Sequence, residues 1–167
     1  MTQVLFFYFA AVIVATAALV VTLRNPVYSA MSLLIVFFHV AGLFVLLNAE
    51  FIAAVQVLVY AGAILVLYLF VVMLLNLKRE ERYHRQYLLG GLLGAVILTE
   101  LMLVLFRSDF SPPIGPYTPA ELQAVGNTEA VGRAMFTTYL LPFEVASLVL
   151  LVAMIGAIVL AKRVVQP

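Results

Sequence analysis

Gln56, Tyr60 and Tyr68 carry the hydrogen-bonding groups of an otherwise apolar stretch, FIAAVQVLVYAGAILVLYLFVVMLLNL, running from Phe51 to Leu77. Regular helical spacing puts Gln56 and Tyr60 on one face at i, i+4, with Tyr68 two turns farther on. An amide and two phenols placed among hydrocarbon need partners, because an unpaired polar group there is costly. The chemistry open to them is the ordering of water or of a neighbouring backbone group. This face is therefore either an interhelical hydrogen-bond seam or the lining of a water path.

The ionisable residues add little to that set. His39 falls near the middle of an apolar run and reads either as a hydrogen-bonded structural histidine or as a proton carrier. Glu50, Glu100 and Glu144 each sit within about two turns of the end of an apolar run, where solvation or an interfacial partner serves them. No group of them forms a catalytic constellation. The chain has no cysteine and only two histidines, His39 and His84, which excludes disulfides, thiolate metal sites and iron–sulfur ligation and leaves too few ligands for bis-His haem. The expectation is a chain with no catalytic, metal or cofactor-binding residues of its own.

Composition sets the class. Sixty-six per cent of the residues are hydrophobic and 10% charged, with a mean hydropathy of +1.18, far beyond the roughly 45–50% apolar content of a soluble domain. This is a polytopic membrane protein forming a single transmembrane domain. The net charge of +1 gives no reason to expect nucleic acid; the bilayer is the first partner.

Five apolar spans are predicted, at residues 3–23, 27–48, 51–77, 88–106 and 143–161. The first lacks a basic leader and is too long for a signal peptide, so it is expected to stay in the membrane. Arg24-Asn25-Pro26 and Asn48-Ala49-Glu50 are tight turns that force the first three helices to run as antiparallel neighbours. Seven of the nine basic residues (Arg24, Lys78, Arg79, Arg82, Arg85, Lys162 and Arg163) fall on one side, leaving Arg107 and Arg133 on the other. The positive-inside rule then places the N-terminus in the periplasm and the C-terminus in the cytoplasm. The charged run KREERYHR serves as a topology determinant or as a contact for anionic lipid or another subunit. With no native cysteine to interfere, an impermeant thiol reagent is expected to label single cysteines at Ser108 and His84 from opposite faces of the membrane. Labelling of both from one face overturns this topology.

The long connection from Arg107 to Pro142 lies on the outer side and contains five of the seven prolines. Thr118-Pro119-Ala120-Glu121 has the form of a capping box, and Gly126-Asn127 that of a stop. A short interfacial helix is expected after Thr128, with Glu129 and Arg133 paired at i, i+4 and Val131, Met135 and Phe136 on its apolar side. Gly90, Gly91, Gly94 and Ala95 on the fourth span, and Ala153, Ala157 and Ala161 on the fifth, permit close helix contact, either within the chain or with another subunit.

Gly62, set between Ala61 and Ala63, costs about 1 kcal/mol relative to alanine in a helix interior and marks close packing or a local break. Its span of 27 residues would reach about 40 Å against a hydrocarbon core of roughly 30 Å. Tilt, projection into the cytoplasm or a π-bulge each absorb the excess.

The run Gln56-Val-Leu-Val-Tyr60-Ala-Gly62-Ala-Ile64, continuing to Asn76, resembles the third-helix signature of the J subunit of bacterial NADH–quinone oxidoreductase, respiratory complex I. The run from Val131 through Arg133, Tyr139, Pro142, Glu144 and Ser147 to Ala161 is similar to the second signature of that family, and Asn25-Pro26 fits as well. The resemblance implies a five-helix, cofactor-free subunit of the membrane arm in the bacterial inner membrane. Its neighbours would be the quinone-site subunit, small carboxylate-bearing subunits and antiporter-like subunits. Flavin and iron–sulfur clusters would reside in other subunits, and quinone in a neighbouring one. It further implies a π-bulge at Tyr60, Ala61, Gly62 and Ala63 whose return to α-helix accompanies the coupling of quinone reduction to proton translocation in the respiratory chain. Where some members of the family carry glutamate this chain has Gln56, which orders water but carries no proton. The competing expectations are a purely structural scaffold subunit and a free-standing transporter. The latter is disfavoured because the chain has no internal repeat and no pair of broken helices.

Overall fold

The computed structural model describes residues 2–75, 87–107 and 124–162 and is all-helical. Five helices are long and apolar enough to cross a membrane: α1 (Thr2–Thr22), α2 (Pro26–Leu46), α3 (Glu50–Leu74), α4 (Tyr87–Arg107) and α6 (Leu140–Ala161). The short helix α5 (Asn127–Phe136) lies between the last two. The basic run at residues 78–85, the capping box at 118–121, Ser108 and Arg163 lie outside the described residues.

The two tight turns have identifiable causes. Asn25 is the N-cap of α2, with Pro26 in the first turn, where no N–H is needed; the Asn25 side-chain oxygen accepts from the Val27 N–H at 2.9 Å. Ser29 then donates from Oγ to the Val20 carbonyl at 2.6 Å, tying the start of α2 to the last turns of α1. At the opposite end of α2, Asn48 adopts the left-handed conformation with φ 56°. The Ala49 N–H donates to the Phe44 carbonyl at 2.9 Å and the Asn48 N–H to that of Val45 at 3.0 Å, the pair of bonds that defines a Schellman stop. One Asn opens the helix; another closes it.

These turns make α2 the central helix, with α1 on one flank and α3 on the other; α1 and α3 do not touch. Contacts rest on small residues. Five of the seven buried apolar residues among those described are alanines (Ala30, Ala41, Ala53, Ala61 and Ala130), and no large side chain is fully buried. Backbones approach where side chains are small, because lipid offers helices no hydrophobic drive to associate. The buried hydroxyls are satisfied within their own helices, Thr16 by the Val12 carbonyl at 2.6 Å and Ser32 by that of Tyr28 at 3.0 Å.

The tightest point lies between α1 and α2. A methyl group added at Gly42 would come within 2.6 Å of the Phe9 ring, which also meets Tyr8 and His39 at centroid distances of 5.4 and 5.8 Å. Gly42→Val is expected to push the two helices apart and cost about 1–3 kcal/mol, as overpacking does. Reduced recovery of the assembled protein, with partial recovery in a Gly42→Ala variant whose smaller group a ring rotation can accommodate, checks this.

Against that compact trio, α4 and α6 stand apart. No described residue of another element packs on α4, and α6 meets only α5. The described side chains of both are exposed throughout. A methyl at Gly90, Gly91, Gly94 or Gly156 would meet nothing within 4 Å, so the small-residue faces of α4 and α6 make no contact with the described part of this chain. α6 also begins three residues before its expected start: Pro142 sits in the first turn, where its missing N–H is one of the four that a helix leaves unbonded.

Candidate functional site: the π-helical segment of the third span

From Gln56 to Ile64, α3 is a π-helix, entered from α-helical Glu50–Val55 and left through α-helical Leu65–Leu74. Its far boundary shows the wider ladder directly: the Leu65 N–H donates to the carbonyl of Tyr60, five residues back. All four residues of the expected bulge, Tyr60, Ala61, Gly62 and Ala63, lie inside this segment.

The π-helix changes which residues face α2. The buried positions of α3 run Ala53, Gln56, Ala61, Leu65 and Val72. The step from Gln56 to Ala61 is five residues, one more than regular α-helix allows for a common face. Consequently Ala61 is 3% exposed and Gln56 9%, while Tyr60 is 46% exposed. Ala61 rather than Tyr60 thus takes the place beside Gln56 against α2, contrary to the i, i+4 reading, which assumed an unbroken 3.6-residue period. Tyr60 instead leans on the flank of α2, edge to face with Phe37 at 5.8 Å between ring centroids. Tyr68 is exposed.

Gly62 is exposed as well, so of its two readings the local break fits and close packing against another described element does not. A methyl group built there meets only the Val57 carbonyl oxygen, at 3.3 Å. That neighbour lies five residues back, so the constraint comes from the π-helix itself rather than from another element.

The remaining polar residues do not converge on this segment. His39 donates from Nδ1 to the Ile35 carbonyl at 2.7 Å and packs against Tyr8 and Phe9. This is the geometry of a structural histidine. Glu50, Glu100 and Glu144 are exposed. Among the described residues no three His, Asp or Glu side chains gather as a metal site would require.

Helix α5 reaches the beginning of α3. Its Ala130 is buried, and the Asn127 side-chain oxygen accepts from the Phe51 N–H at 3.2 Å. Arg133 and Glu129 form the expected i, i+4 ion pair, 2.6 Å apart and exposed. Val131 and Met135 are half-buried, whereas Phe136 is exposed and meets the ring of Phe143 at the start of α6. Sequence reasoning passed over Asn127 as a tertiary contact, because its spacing to Phe51 carries no periodic signal.

Five helices long and apolar enough to cross a membrane, the third of them π-helical at its polar segment, define a polytopic helical membrane protein. The chain belongs to the NADH-ubiquinone/plastoquinone oxidoreductase chain 6 family, whose model matches residues 16–160. It is 41% identical to NADH-quinone oxidoreductase subunit J of Rhodobacter capsulatus, the match covering 95% of this chain and 80% of that protein. NADH-ubiquinone oxidoreductase chain 6 of Marchantia polymorpha is 38% identical, with 96% and 87% covered, and NAD(P)H-quinone oxidoreductase chain 6 of Synechocystis sp. is 41% identical, with 96% and 81% covered. Its partners are therefore other subunits of such a complex, consistent with the exposed faces of α4 and α6.

Proposed function

We propose that this chain is a non-redox subunit of the membrane arm that couples quinone reduction to proton translocation, through interconversion of its third helix between π and α forms. The observation that carries this reading is the five-residue step from Gln56 to Ala61. Were the segment regular α-helix with its first turns unmoved, everything beyond the break would turn by about 100°, the rotation of one residue. Tyr60 would then replace Ala61 against α2, Ile64 would replace Leu65, and Val71 would replace Val72.

That exchange has a chemical consequence. In the α form the Gln56 amide and the Tyr60 hydroxyl both face α2 and together hold water; in the π form Ala61 takes the place of Tyr60 there. A water-borne proton path along Gln56, Tyr60 and Tyr68 is made in one form and broken in the other. The π-helix is a rare arrangement, frequent at functional sites. It persists when the neighbours of the helix favour it, so a quinone-site subunit that contacts the two forms differently shifts the balance.

In this reading the chain holds no flavin, iron–sulfur cluster or quinone of its own; these belong to other subunits. It lies in the bacterial cytoplasmic membrane, N-terminus outward, beside the quinone-site subunit, small carboxylate-bearing subunits and antiporter-like subunits. The testing experiment is a set of substitutions at Ala61 and Gly62, assayed in assembled complexes for protons moved per NADH oxidised. A scaffold would lose assembly, not the ratio.

A further inference from the structure

The third span starts without a cap of its own. Ala49, at its N-cap position, has no side chain to offer, and its backbone, at φ −104° and ψ 56°, lacks the extended geometry in which a side chain caps. The cause lies next door: Ala49 is already committed to the Schellman stop of α2, where its N–H bonds the Phe44 carbonyl. Its carbonyl still accepts the Ala53 N–H at 2.9 Å, but its methyl side chain offers nothing to the free N–H groups of the first turn. The missing acceptor arrives from 76 residues away, where Asn127 bonds the Phe51 N–H at 3.2 Å. Ala130, one turn farther along α5, is buried, and α5 packs on the first turns of α3.

We infer that Asn127 is a positioning residue that pins the first turn of the third helix and so fixes the register from which its π segment departs. The inference rests on the coupling reading above and adds a residue to it. Two attachments hold this end: the Schellman turn from α2 and the Asn127 bond from α5. Neither bears on the residues beyond Ile64. A change of register within Gln56–Ile64 then turns that far part against a fixed reference, and without the pin the near end can turn instead, leaving the far part in place. Phe136 of α5 also meets Phe143 of α6, so the pin joins the third span to the last one through an element that does not itself cross the membrane.

The test compares Asn127→Ala, which removes the acceptor, with Asn127→Asp, which keeps it at the same reach, in complexes shown by native gel to be assembled. Two quantities are read: deuterium uptake by the peptide covering residues 50–56, and protons moved per NADH oxidised through quinone. The alanine variant is expected to exchange roughly five-fold faster at this helix start, the usual effect of losing a cap. Its proton ratio is expected to fall roughly two-fold as the helix loses its preferred form. The aspartate variant should match the parent in both. Unchanged uptake in Asn127→Ala overturns the cap, and faster uptake with the parent's ratio overturns the positioning role. An aspartate variant as impaired as alanine also overturns it. If the alanine variant does not assemble, Asn127→Ser, whose oxygen is one atom short of the contact, is read by the same criteria. Loss of the ratio in a Gly62 variant but not at Asn127 rejects the pin alone; loss at neither rejects the coupling reading with it.

Discussion

Ala61→Leu is expected to lower quinone-linked NADH oxidation and proton pumping together by roughly ten-fold, the consequence of overpacking by about 1–3 kcal/mol in one of two interconverting forms. Ala61 is buried against α2 only because the π-helix puts it there. A leucine adds three carbons to a contact built from small residues, and it does so in the π form. In the α form residue 61 turns away from α2 and the larger side chain has no such penalty. The substitution therefore disfavours the π form selectively and holds the helix out of its cycle. Oxidation of NADH by a hydrophilic artificial acceptor needs only the redox subunits and should survive. Assembly measured on a native gel separates coupling from insertion. An assembled Ala61→Leu complex that pumps at the parent's rate sinks the proposed exchange of faces.

How much of this was legible in the residues depends on whether a local rule applied. The turns at Asn25 and Asn48 were, because capping and left-handed stops involve residues no more than five apart. The α5 helix was legible for the same reason: Glu129 and Arg133 declare an i, i+4 face. The start of α6 was read late because Pro142 looks like an end, although the first turn tolerates proline.

The site itself divides along that line. That Gln56, Tyr60 and Gly62 matter could be read from polar groups and glycine inside an overlong apolar span. Which of them share a face could not. Facing was assigned by a constant angular step, and the π segment is where that step changes, so Ala61 rather than Tyr60 joins Gln56 against α2. Likewise the glycines of α4 announced close packing, but only the structure shows that no described residue of this chain supplies the partner. The cap from Asn127 was invisible because it depends on two segments meeting across 76 positions.

Gly62 offers the sharpest test, since its two substitutions separate what the helix does from what surrounds it. The methyl group of Gly62→Ala meets one atom, the Val57 carbonyl oxygen at 3.3 Å, a contact that a rigid backbone relieves only by moving. In the α form the same alanine gains about 1 kcal/mol of helix propensity over glycine. Both effects point toward the α form, so Gly62→Ala is expected to shift the balance by roughly five-fold, the factor for 1 kcal/mol, and to lower pumping measurably. Gly62→Leu carries the same backbone term and adds a branched side chain into space that the described residues leave open. If only lipid faces that space, leucine and alanine behave alike. If a helix of a neighbouring subunit packs there, leucine is far worse, and quinone-linked oxidation and pumping fall together while the artificial-acceptor reaction persists. The difference between the two variants therefore measures the neighbour, and the alanine effect alone measures the helix. A fully assembled Gly62→Leu complex pumping at the parent's rate would show that neither matters to turnover, leaving this chain as a scaffold between working subunits.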